Sequence, residues 1–492
     1  MSEKSKLCSN EKCCFNSWKQ HTHRRHGDQP KIFSNILETV GHTPLVKLNK
    51  IPKEAGLKCD VYAKVEFFNP AGSIKDRMAF RMLEEAEEQG RLTPGISTVI
   101  EPTSGNTGIA LSLICAVKGY KCILVMAEKI SQDKESTMKL LGAKIVRTPN
   151  GKNVDDPESP FEVAKQLSQK IPNSVILDQF VNSSNPLAHY DGTGEEILQQ
   201  CDGQVDMVVI GTGTGGSITG IGYKVKEKCP NCEIIGVDPL GSTLALPESI
   251  NKTDVTFWEV EGIGYNYVFE TLHRQHIDRW IKVNDKTTMQ MVRNLIRKEG
   301  ILAGESSGAI LAGALEAAKE LKEGQKCVVI MPDGIRNYMS KFVTESWMEA
   351  RGYKDVVDEH NHWWWHHTVA DLKLTKSKTI KSDTTCKDAL EYLTANGLQQ
   401  VPVENNDGSL AGFIDLKYLT KKIVSLNYQL EDTVKAAVFE KFYRVTVDSS
   451  LGLVSRLLET EGFVAVVDGP NRIFSVINHS QLLNFIANRS KP

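Results

Sequence analysis

Short apolar runs alternate with segments of helical periodicity between residues 61 and 330. Such runs, rich in valine and isoleucine and bounded by polar or glycine-rich loops, are typical of buried strands. The predicted strands are Val61–Phe68, Thr98–Ile100, Cys122–Val125, Lys144–Val146, Met207–Ile210, Glu233–Val237 and Cys327–Ile330. Strands that alternate with helices at this spacing predict an α/β fold with mostly parallel sheets covered by helices. Ligands bind such sheets at the carboxyl ends of the strands, so the loops there are the candidate positions for a site.

The loop Asn69–Arg77 carries a lysine at the predicted start of a helix. Gly72 and Ser73 predict a turn and a cap, and Met78–Gln89 has the pattern of an amphipathic helix. The positive end of the helix dipole, together with partial burial, lowers a lysine pKa, and a nearly neutral lysine can form a Schiff base. An isolated lysine is more often an ordinary surface residue. The prediction that Lys75 forms a Schiff base therefore depends on the loops that accompany it.

Two further loops provide that support. Glu101–Gly108 joins an apolar run to a helical segment and is lined by amides and hydroxyls, which can hold a carboxylate. Gly211–Ser217 follows the strand Met207–Ile210, and its glycines let backbone amides close on a phosphate. A glycine-rich loop alone is equally compatible with a tight turn. The combination predicts a lysine, a carboxylate site and a phosphate site at one edge of the sheet.

In their order and residues, these loops resemble the fold-type II pyridoxal-phosphate enzymes, which include the cysteine synthases, the serine and threonine dehydratases and the cystathionine β-synthases. The resemblance spans residues 31–353. It implies a fold like that of the tryptophan synthase β subunit and pyridoxal 5'-phosphate as cofactor. Lys75 is then the residue that holds the cofactor and moves the substrate Cα proton. The remaining cofactor contacts implied are Asn106 to the ring hydroxyl, Gly213, Thr214, Gly215, Gly216 and Ser217 to the phosphate, and Ser306 to the ring nitrogen.

The resemblance also implies the substrate-side residues and the type of reaction. Thr103, Ser104, Thr107 and Gln179 are expected to bind the substrate carboxylate, and Gly262 and Tyr265 to belong to a segment that closes over it. A hydroxyl partner such as Ser306, unlike an aspartate, does not keep the ring nitrogen protonated. The ring is then a restrained electron sink, which favours loss of a β-substituent over transamination. We therefore expect a β-replacement reaction.

Within that family, Glu261-Gly-Ile-Gly-Tyr265 is similar to the closing segment of the cystathionine β-synthases, with Asn266 where an aspartate is usual. This resemblance implies condensation of L-serine with L-homocysteine to L-cystathionine and water, and hydrogen sulfide release when cysteine replaces serine. One alternative is a cysteine synthase that uses O-acetylserine. Another is a non-catalytic haem or nucleotide sensor, against which the intact Lys75, Asn106 and Ser306 argue.

Residues 1–30 are polar, lack a hydrophobic period and concentrate cysteine and histidine. Such a segment cannot form a core, and from composition alone a solvated tail or adventitious zinc is the simpler interpretation. The resemblance to animal cystathionine β-synthases implies instead haem b, bound axially by one cysteine and one histidine. Cys13 and His21 are the preferred pair. Cys8 with His21 and Cys13 with His26 remain open.

The carboxy-terminal part, 369–492, repeats itself after a polar linker, 354–368, that contains three adjacent tryptophans. Residues 369–426 and 433–487 each predict a strand, a helix, two apolar strands and a closing helix, and the pair resembles a Bateman module. The usual ribose-binding pattern is a hydroxyl residue three positions before an aspartate at the start of the last helix. In the matching ranges, Ile414–Lys417 and Asn478–Gln481, the aspartate position is occupied by Lys417 and Gln481. Control by S-adenosylmethionine is therefore doubtful, and a structural or dimerising role is expected.

Composition indicates the class of partner and the cellular compartment. The 492-residue chain has a formal net charge of −2, which gives no general attraction to nucleic acid or membrane. It lacks a long apolar run or a signal sequence, and its eleven cysteines suit a reducing compartment, so we expect a cytoplasmic protein. We expect a homodimer or a higher homo-oligomer. The pair Cys229 and Cys232 is either incidental or a redox disulfide.

Overall fold

The computed structural model describes residues 31–103, 105–127, 132–148, 155–358, 360–425, 428–439, 442–469 and 472–488. The chain divides into two compact units, the first ending at Phe342 and the second beginning at Val343. The sequence prediction ended the catalytic domain at residue 353. In the described parts of the chain, no helix combines the length and apolar character needed to cross a bilayer.

The first unit alternates strands with helices. Its strands are β1 (Leu45–Lys47), β2 (Asp60–Val65), β3 (Thr98–Pro102), β4 (Lys121–Ala127), β5 (Lys144–Thr148), β6 (Ser174–Ile176), β7 (Met207–Gly211), β8 (Glu233–Pro239), β9 (Arg279–Val283) and β10 (Lys326–Met331). Its helices are α1 (Ile51–Glu54), α2 (Lys75–Glu88), α3 (Asn106–Lys118), α4 (Gln132–Leu140), α5 (Pro160–Lys170), α6 (Ser184–Ala188), α7 (Glu195–Gln200), α8 (Gly216–Lys228), α9 (Asp285–Glu299) and α10 (Glu305–Ala317).

These strands form two sheets. The larger has six strands in the order β1-β2-β10-β7-β8-β9, and the smaller has four in the order β5-β4-β3-β6. Every pairing is parallel except that of β1 with β2. The central strands are covered on both faces. In β10, for example, every side chain of Cys327–Met331 is buried. The predicted α/β fold with mostly parallel sheets is confirmed.

Local differences from the predicted elements have physical causes. The strand predicted to run to Phe68 ends at Val65, because Glu66–Phe68 turn into a short 3-10 helix and the buried Glu66 carboxylate binds Arg77. Helix α2 begins at Lys75 rather than at Met78. Strands β6 and β9 were not predicted. Strand β6 has only partly buried side chains, and the charged Arg279 and Lys282 interrupt the apolar pattern of β9, so the apolar signal of both strands is weak.

The second unit contains two small sheets of the same design. Its strands are β11 (Ile380–Lys381), β12 (Gln400–Glu404), β13 (Leu410–Asp415), β14 (Arg444–Val445), β15 (Phe463–Val467) and β16 (Ile473–Asn478), and its helices are α11 (Glu345–Ala350), α12 (Cys386–Ala395), α13 (Leu416–Ser425), α14 (Leu451–Thr460) and α15 (His479–Asn488). Each sheet pairs its first strand parallel and its last two antiparallel, with one register shift in the antiparallel pair. The predicted internal repeat is therefore present in the fold.

Candidate active site

Lys75 is the first residue of helix α2 and lines a cavity at the carboxyl edge of the larger sheet. Its backbone N–H donates to Ser73 Oγ at 3.2 Å, although Ile74 rather than Ser73 occupies the cap position. Burial lowers the pKa of the Lys75 ammonium to about 8, against the opposing effect of the Asp333 carboxylate. A substantial fraction of the amine is therefore neutral near physiological pH and available as a nucleophile.

The glycine-rich loop between β7 and α8 forms another wall of this cavity. Gly213, Thr214, Gly215 and Ser217 line it together with Lys75. Gly215 has φ of +97°, and a Cβ there would lie 2.3 Å from the Leu272 Cβ, so only glycine fits. Backbone amides at the start of the thirteen-residue helix α8 are thus left accessible to an anion. About 360 Å³ of empty space lies in the cavity and the open solvent at its mouth.

The predicted closing segment lies over the same cavity. Gly262 and Ile263 line it, and the Gly264 N–H donates to the Thr212 carbonyl of the phosphate loop at 2.7 Å. The Tyr265 ring packs edge-on against Phe269, with centroids 4.9 Å apart. Burial raises the pKa of the Tyr265 hydroxyl to about 12, so this side chain remains neutral at physiological pH.

The predicted carboxylate loop is held by buried polar contacts. Thr107 Oγ1 donates to Gln179 Oε1 at 2.8 Å, and the Gln179 N–H donates to Glu101 Oε1 at 2.9 Å. The Thr103 N–H donates to the Val125 carbonyl at 3.0 Å, while Ser104 lies outside the described residues. Burial raises the pKa of Glu101 to about 7. The fold thus brings Thr107 and Gln179 together, as the prediction requires.

Asn106 is held by an acid that the sequence analysis did not identify. Its Nδ2 donates to Asp333 Oδ2 at 2.8 Å, and its Oδ1 accepts from Asn337 Nδ2 at 3.1 Å. The Tyr338 hydroxyl donates to the same Asp333 oxygen at 2.6 Å. Asp333 is buried, and burial raises its pKa. Asp333 follows the buried strand β10 at its carboxyl end, and that position was the available sequence signal.

The loop that contains Asp333 also connects the starts of helices α2 and α10. The Ile74 N–H donates to the Pro332 carbonyl at 2.8 Å, immediately before Lys75. The Gly304 N–H donates to the Asp333 carbonyl at 2.9 Å, two residues before Ser306. Ser306 is buried at the second position of α10. The described residues that line the cavity do not include Thr103, Asn106, Thr107, Gln179 or Ser306.

A buried histidine supports the phosphate loop and was also missed. His189 Nε2 lies 3.1 Å from Ser217 Oγ, and its Nδ1 lies 2.9 Å from Thr193 Oγ1. Burial lowers the pKa of His189 well below its usual value, and the nearby Lys75 acts in the same direction. A neutral imidazole therefore fixes the orientation of the Ser217 hydroxyl.

The predicted haem ligands Cys13 and His21, and the alternatives Cys8 and His26, lie outside the described residues. Within the described ranges, no three histidine, cysteine or acidic side chains are placed to hold a metal ion. Cys229 and Cys232 are both free thiols, the first partly exposed and the second buried.

The residues present fit pyridoxal 5'-phosphate, because the glycine loop offers amides to its phosphate and Lys75 offers an amine to its aldehyde in one cavity. Comparison with known proteins agrees. The family described as "Pyridoxal-phosphate dependent enzyme" matches residues 36–333, and the family described as "CBS domain" matches residues 369–425.

Similar proteins extend the match beyond the catalytic unit. The cystathionine beta-synthase of Oryctolagus cuniculus is 47% identical over 485 residues, covering 96% of this chain and 88% of that protein. The enzyme of the same name from Apis mellifera is 47% identical, covering 95% and 93%. Among solved structures, a hydrogen sulfide-producing enzyme from Fusobacterium nucleatum superposes with a TM-score of 0.58 at 35% identity, covering 63% of this chain and 99% of that one.

The fold and the cavity define a pyridoxal-phosphate dependent enzyme of fold type II. The similarity at 47% identity includes the repeat module as well as the catalytic unit. The chain belongs to the cystathionine beta-synthase family.

Proposed function

We propose that this enzyme condenses L-serine with L-homocysteine to give L-cystathionine and water, with hydrogen sulfide release from cysteine as a side reaction. The observation that carries the proposal is one cavity lined by the Lys75 amine, the Gly213–Ser217 loop and the Gly262–Ile263 backbone. Similarity to named cystathionine beta-synthases over nearly the whole chain supports this substrate pair over O-acetylserine and sulfide.

Pyridoxal phosphate, when bound, supplies an aldehyde for the amino group and a ring that withdraws electrons from the substrate Cα. Lys75 is the base that takes the Cα proton of serine. The same ammonium then donates a proton to the departing hydroxyl, which leaves as water. Its pKa of about 8 suits both tasks, because the proton is held and released near the working pH.

Orientation of the cofactor ring is assigned to side chains at two helix starts. One hydrogen of the Asn106 amide is directed to Asp333, which leaves the other for the ring hydroxyl. We assign Ser306 to the ring nitrogen, since its hydroxyl lies buried at the start of α10. A hydroxyl partner leaves that nitrogen uncharged and limits side reactions that need a stronger electron sink.

The substrate carboxylate is assigned to Thr103, Ser104, Thr107 and Gln179. The contact between Thr107 and Gln179 supports this assignment, because the two side chains already converge beside Asn106. After loss of the serine hydroxyl, the activated Cβ must meet the homocysteine thiolate before it meets water. We assign that exclusion of water to Gly262–Tyr265.

The test compares Lys75→Ala with Lys53→Ala, which changes an exposed lysine of the same unit. We expect Lys75→Ala to fold and to lose cystathionine formation, while Lys53→Ala retains it. A tenth or more of the wild-type rate in Lys75→Ala would contradict the role of Lys75. Cysteine formation from O-acetylserine and sulfide, faster than cystathionine formation from serine and homocysteine, would contradict the substrate assignment.

We extend the proposal to haem b at residues 1–30, bound by Cys13 and His21, on the basis of their ligand chemistry. A shift of the haem absorption band in Cys13→Ser, but not in Cys14→Ser, is expected. An unchanged band in Cys13→Ser would assign the iron to another cysteine.

We also propose a cytoplasmic homodimer or higher homo-oligomer, in which the repeat module has a structural or dimerising role. The first unit leaves the large apolar side chains of Ile36, Phe68 and Val117 exposed, and their burial in an assembly would be favourable. Light scattering measures the assembly. Cystathionine formation measured with and without S-adenosylmethionine tests regulation, and an increase in rate would contradict this part.

A further inference from the structure

Glu305 is a buried acid that the reaction described above does not use. It is the first residue of helix α10, directly before Ser306, and its side chain is fully buried. Its Oε2 accepts a hydrogen bond from the backbone N–H of Glu261 at 3.1 Å. Its Oε1 makes no hydrogen bond to the described residues and lies 3.6 Å from the Lys341 ammonium. A carboxyl group in this position needs an explanation, because burial without full pairing is costly.

Glu261, the residue that Glu305 contacts, is itself held from two sides. Its two carboxylate oxygens accept separately from Lys134 of helix α4 and from Lys341. These two ammonium groups lower the pKa of the Glu261 carboxyl to about 2, against its burial. The Glu261 side chain is thus fixed as an anion, and its backbone N–H is fixed by Glu305.

Glu261 directly precedes the backbone segment that covers the cavity. Gly262 and Ile263, which follow it directly, line the cofactor cavity. The other end of this segment is held by the Gly264 N–H to Thr212 and by the Tyr265 N–H to Ser242 Oγ at 3.0 Å. The contact with Glu305 therefore anchors the near end of the backbone that covers the cavity to the helix that carries Ser306.

We propose that Glu305 is a positioning residue that holds the Glu261–Tyr265 segment closed over the cofactor cavity by accepting the Glu261 N–H, and so keeps water from the reacting carbon. The part that concerns the reaction rests on the proposed function. The anchoring itself does not.

The chemical consequence of losing this anchor is a change of product. In an open site, serine first loses water across Cα and Cβ. A water molecule, in place of homocysteine, then attacks and replaces the nitrogen at Cα. The net products are pyruvate and ammonia, with no oxidant or reductant required. The ratio of pyruvate to cystathionine formed from serine therefore reports how well the segment excludes water.

The variants separate the hydrogen bond from packing. Glu305→Met keeps the size of the side chain but cannot accept, whereas Glu305→Gln keeps an acceptor. Burial raises the pKa of Glu305 to about 8, against the pull of Lys341, so a neutral carboxamide is a close substitute. Glu316→Gln, at an exposed position of the same helix, is the matched control. Glu305→Ala is a second acceptor-free variant should the methionine variant fold poorly.

The first measurement is amide hydrogen exchange of residues 261–265 in the full-length holoenzyme, which needs no turnover. We expect exchange about tenfold faster in Glu305→Met, as for loss of one buried hydrogen bond, and within threefold of wild type in Glu305→Gln and Glu316→Gln. The second is the pyruvate to cystathionine ratio, expected to rise about tenfold in Glu305→Met alone.

Unchanged exchange in Glu305→Met, or equal acceleration in Glu305→Gln, would overturn the anchoring role. Faster exchange with an unchanged product ratio would overturn the exclusion of water. Absence of cystathionine formation in the wild type would refute the proposed function while leaving the exchange result interpretable.

Discussion

Replacing Gly216 by alanine adds a single methyl group to the Gly213–Ser217 loop, which is assigned to the cofactor phosphate, and so tests that assignment. An ideal Cβ at Gly216 would lie 1.9 Å from Asn185 Oδ1 and 2.3 Å from its Cγ, far inside contact distance. Asn185 is buried, and its Nδ2 donates to the Gln179 carbonyl at 2.8 Å and to Thr214 Oγ1 at 3.2 Å. To make room, the side chain or the loop must shift by about 1 Å or more, which breaks both hydrogen bonds.

The expected loss of cofactor affinity follows from those two bonds. Each buried hydrogen bond that is broken without replacement costs about 1–3 kcal/mol. Because Thr214 belongs to the loop assigned to the phosphate, we expect the two broken bonds together to cost about 2–6 kcal/mol, which raises the Kd for pyridoxal phosphate about 30-fold or more. Titration of the apoprotein with pyridoxal phosphate, followed by visible absorbance, measures it.

Gly222→Ala is the matched control, since it lies in the same helix and its Cβ would meet only Ile234, at 3.7 Å. That substitution is expected to leave affinity unchanged and to stabilise the helix slightly. Thermal denaturation of each apoprotein shows whether folding is intact. A Kd within threefold of wild type in a folded Gly216→Ala protein would refute the assignment of the Gly213–Ser217 loop to the phosphate.

Three further substitutions or conditions test other parts of the site. Glu196→Ala leaves the buried Arg77 with fewer partners and is expected to destabilise the first unit by about 3–5 kcal/mol, seen as a lower thermal midpoint; an unchanged midpoint would contradict this. Because the Lys75 pKa is lowered to about 8, its neutral form predominates above that pH, so uptake of pyridoxal phosphate by the apoprotein is expected to be half-maximal near pH 8 and not near 10.5. Asp333→Ala removes the acceptor that orients Asn106 and is expected to lower kcat about tenfold or more, whereas steady-state rates close to wild type would exclude that role.

The parts of the fold that depend on local pattern were predictable. Buried parallel strands such as Met207–Ile210 carry continuous apolar runs, and the structure extends that one only to Gly211. The helix start at Lys75 followed from its turn and the amphipathic pattern after it. Since carboxyl ends of parallel strands share one edge, the convergence of Lys75 with Gly213–Ser217 could also be anticipated.

The contacts missed by the sequence analysis join residues far apart in the chain. Asn106 and Asp333 are separated by 227 residues, and nothing in either local sequence identifies the other as its partner. The contact of the Glu305 side chain with the Glu261 backbone depends on how α10 packs, and no local pattern indicates it. Pairing of this kind is set by tertiary geometry, which periodicity does not encode.

The charges around Lys75 show why its pKa depends on distant residues. Arg77 is a second buried cation, two residues further along α2. Glu66 and Glu196 each bind Arg77 at 2.7 Å and compensate its charge. Burial, which lowers the Lys75 pKa, is then opposed chiefly by Asp333. Loss of Glu196 is therefore expected to lower the stability of the first unit, whereas loss of Asp333 is expected to lower the Lys75 pKa and with it the pH of half-maximal cofactor uptake.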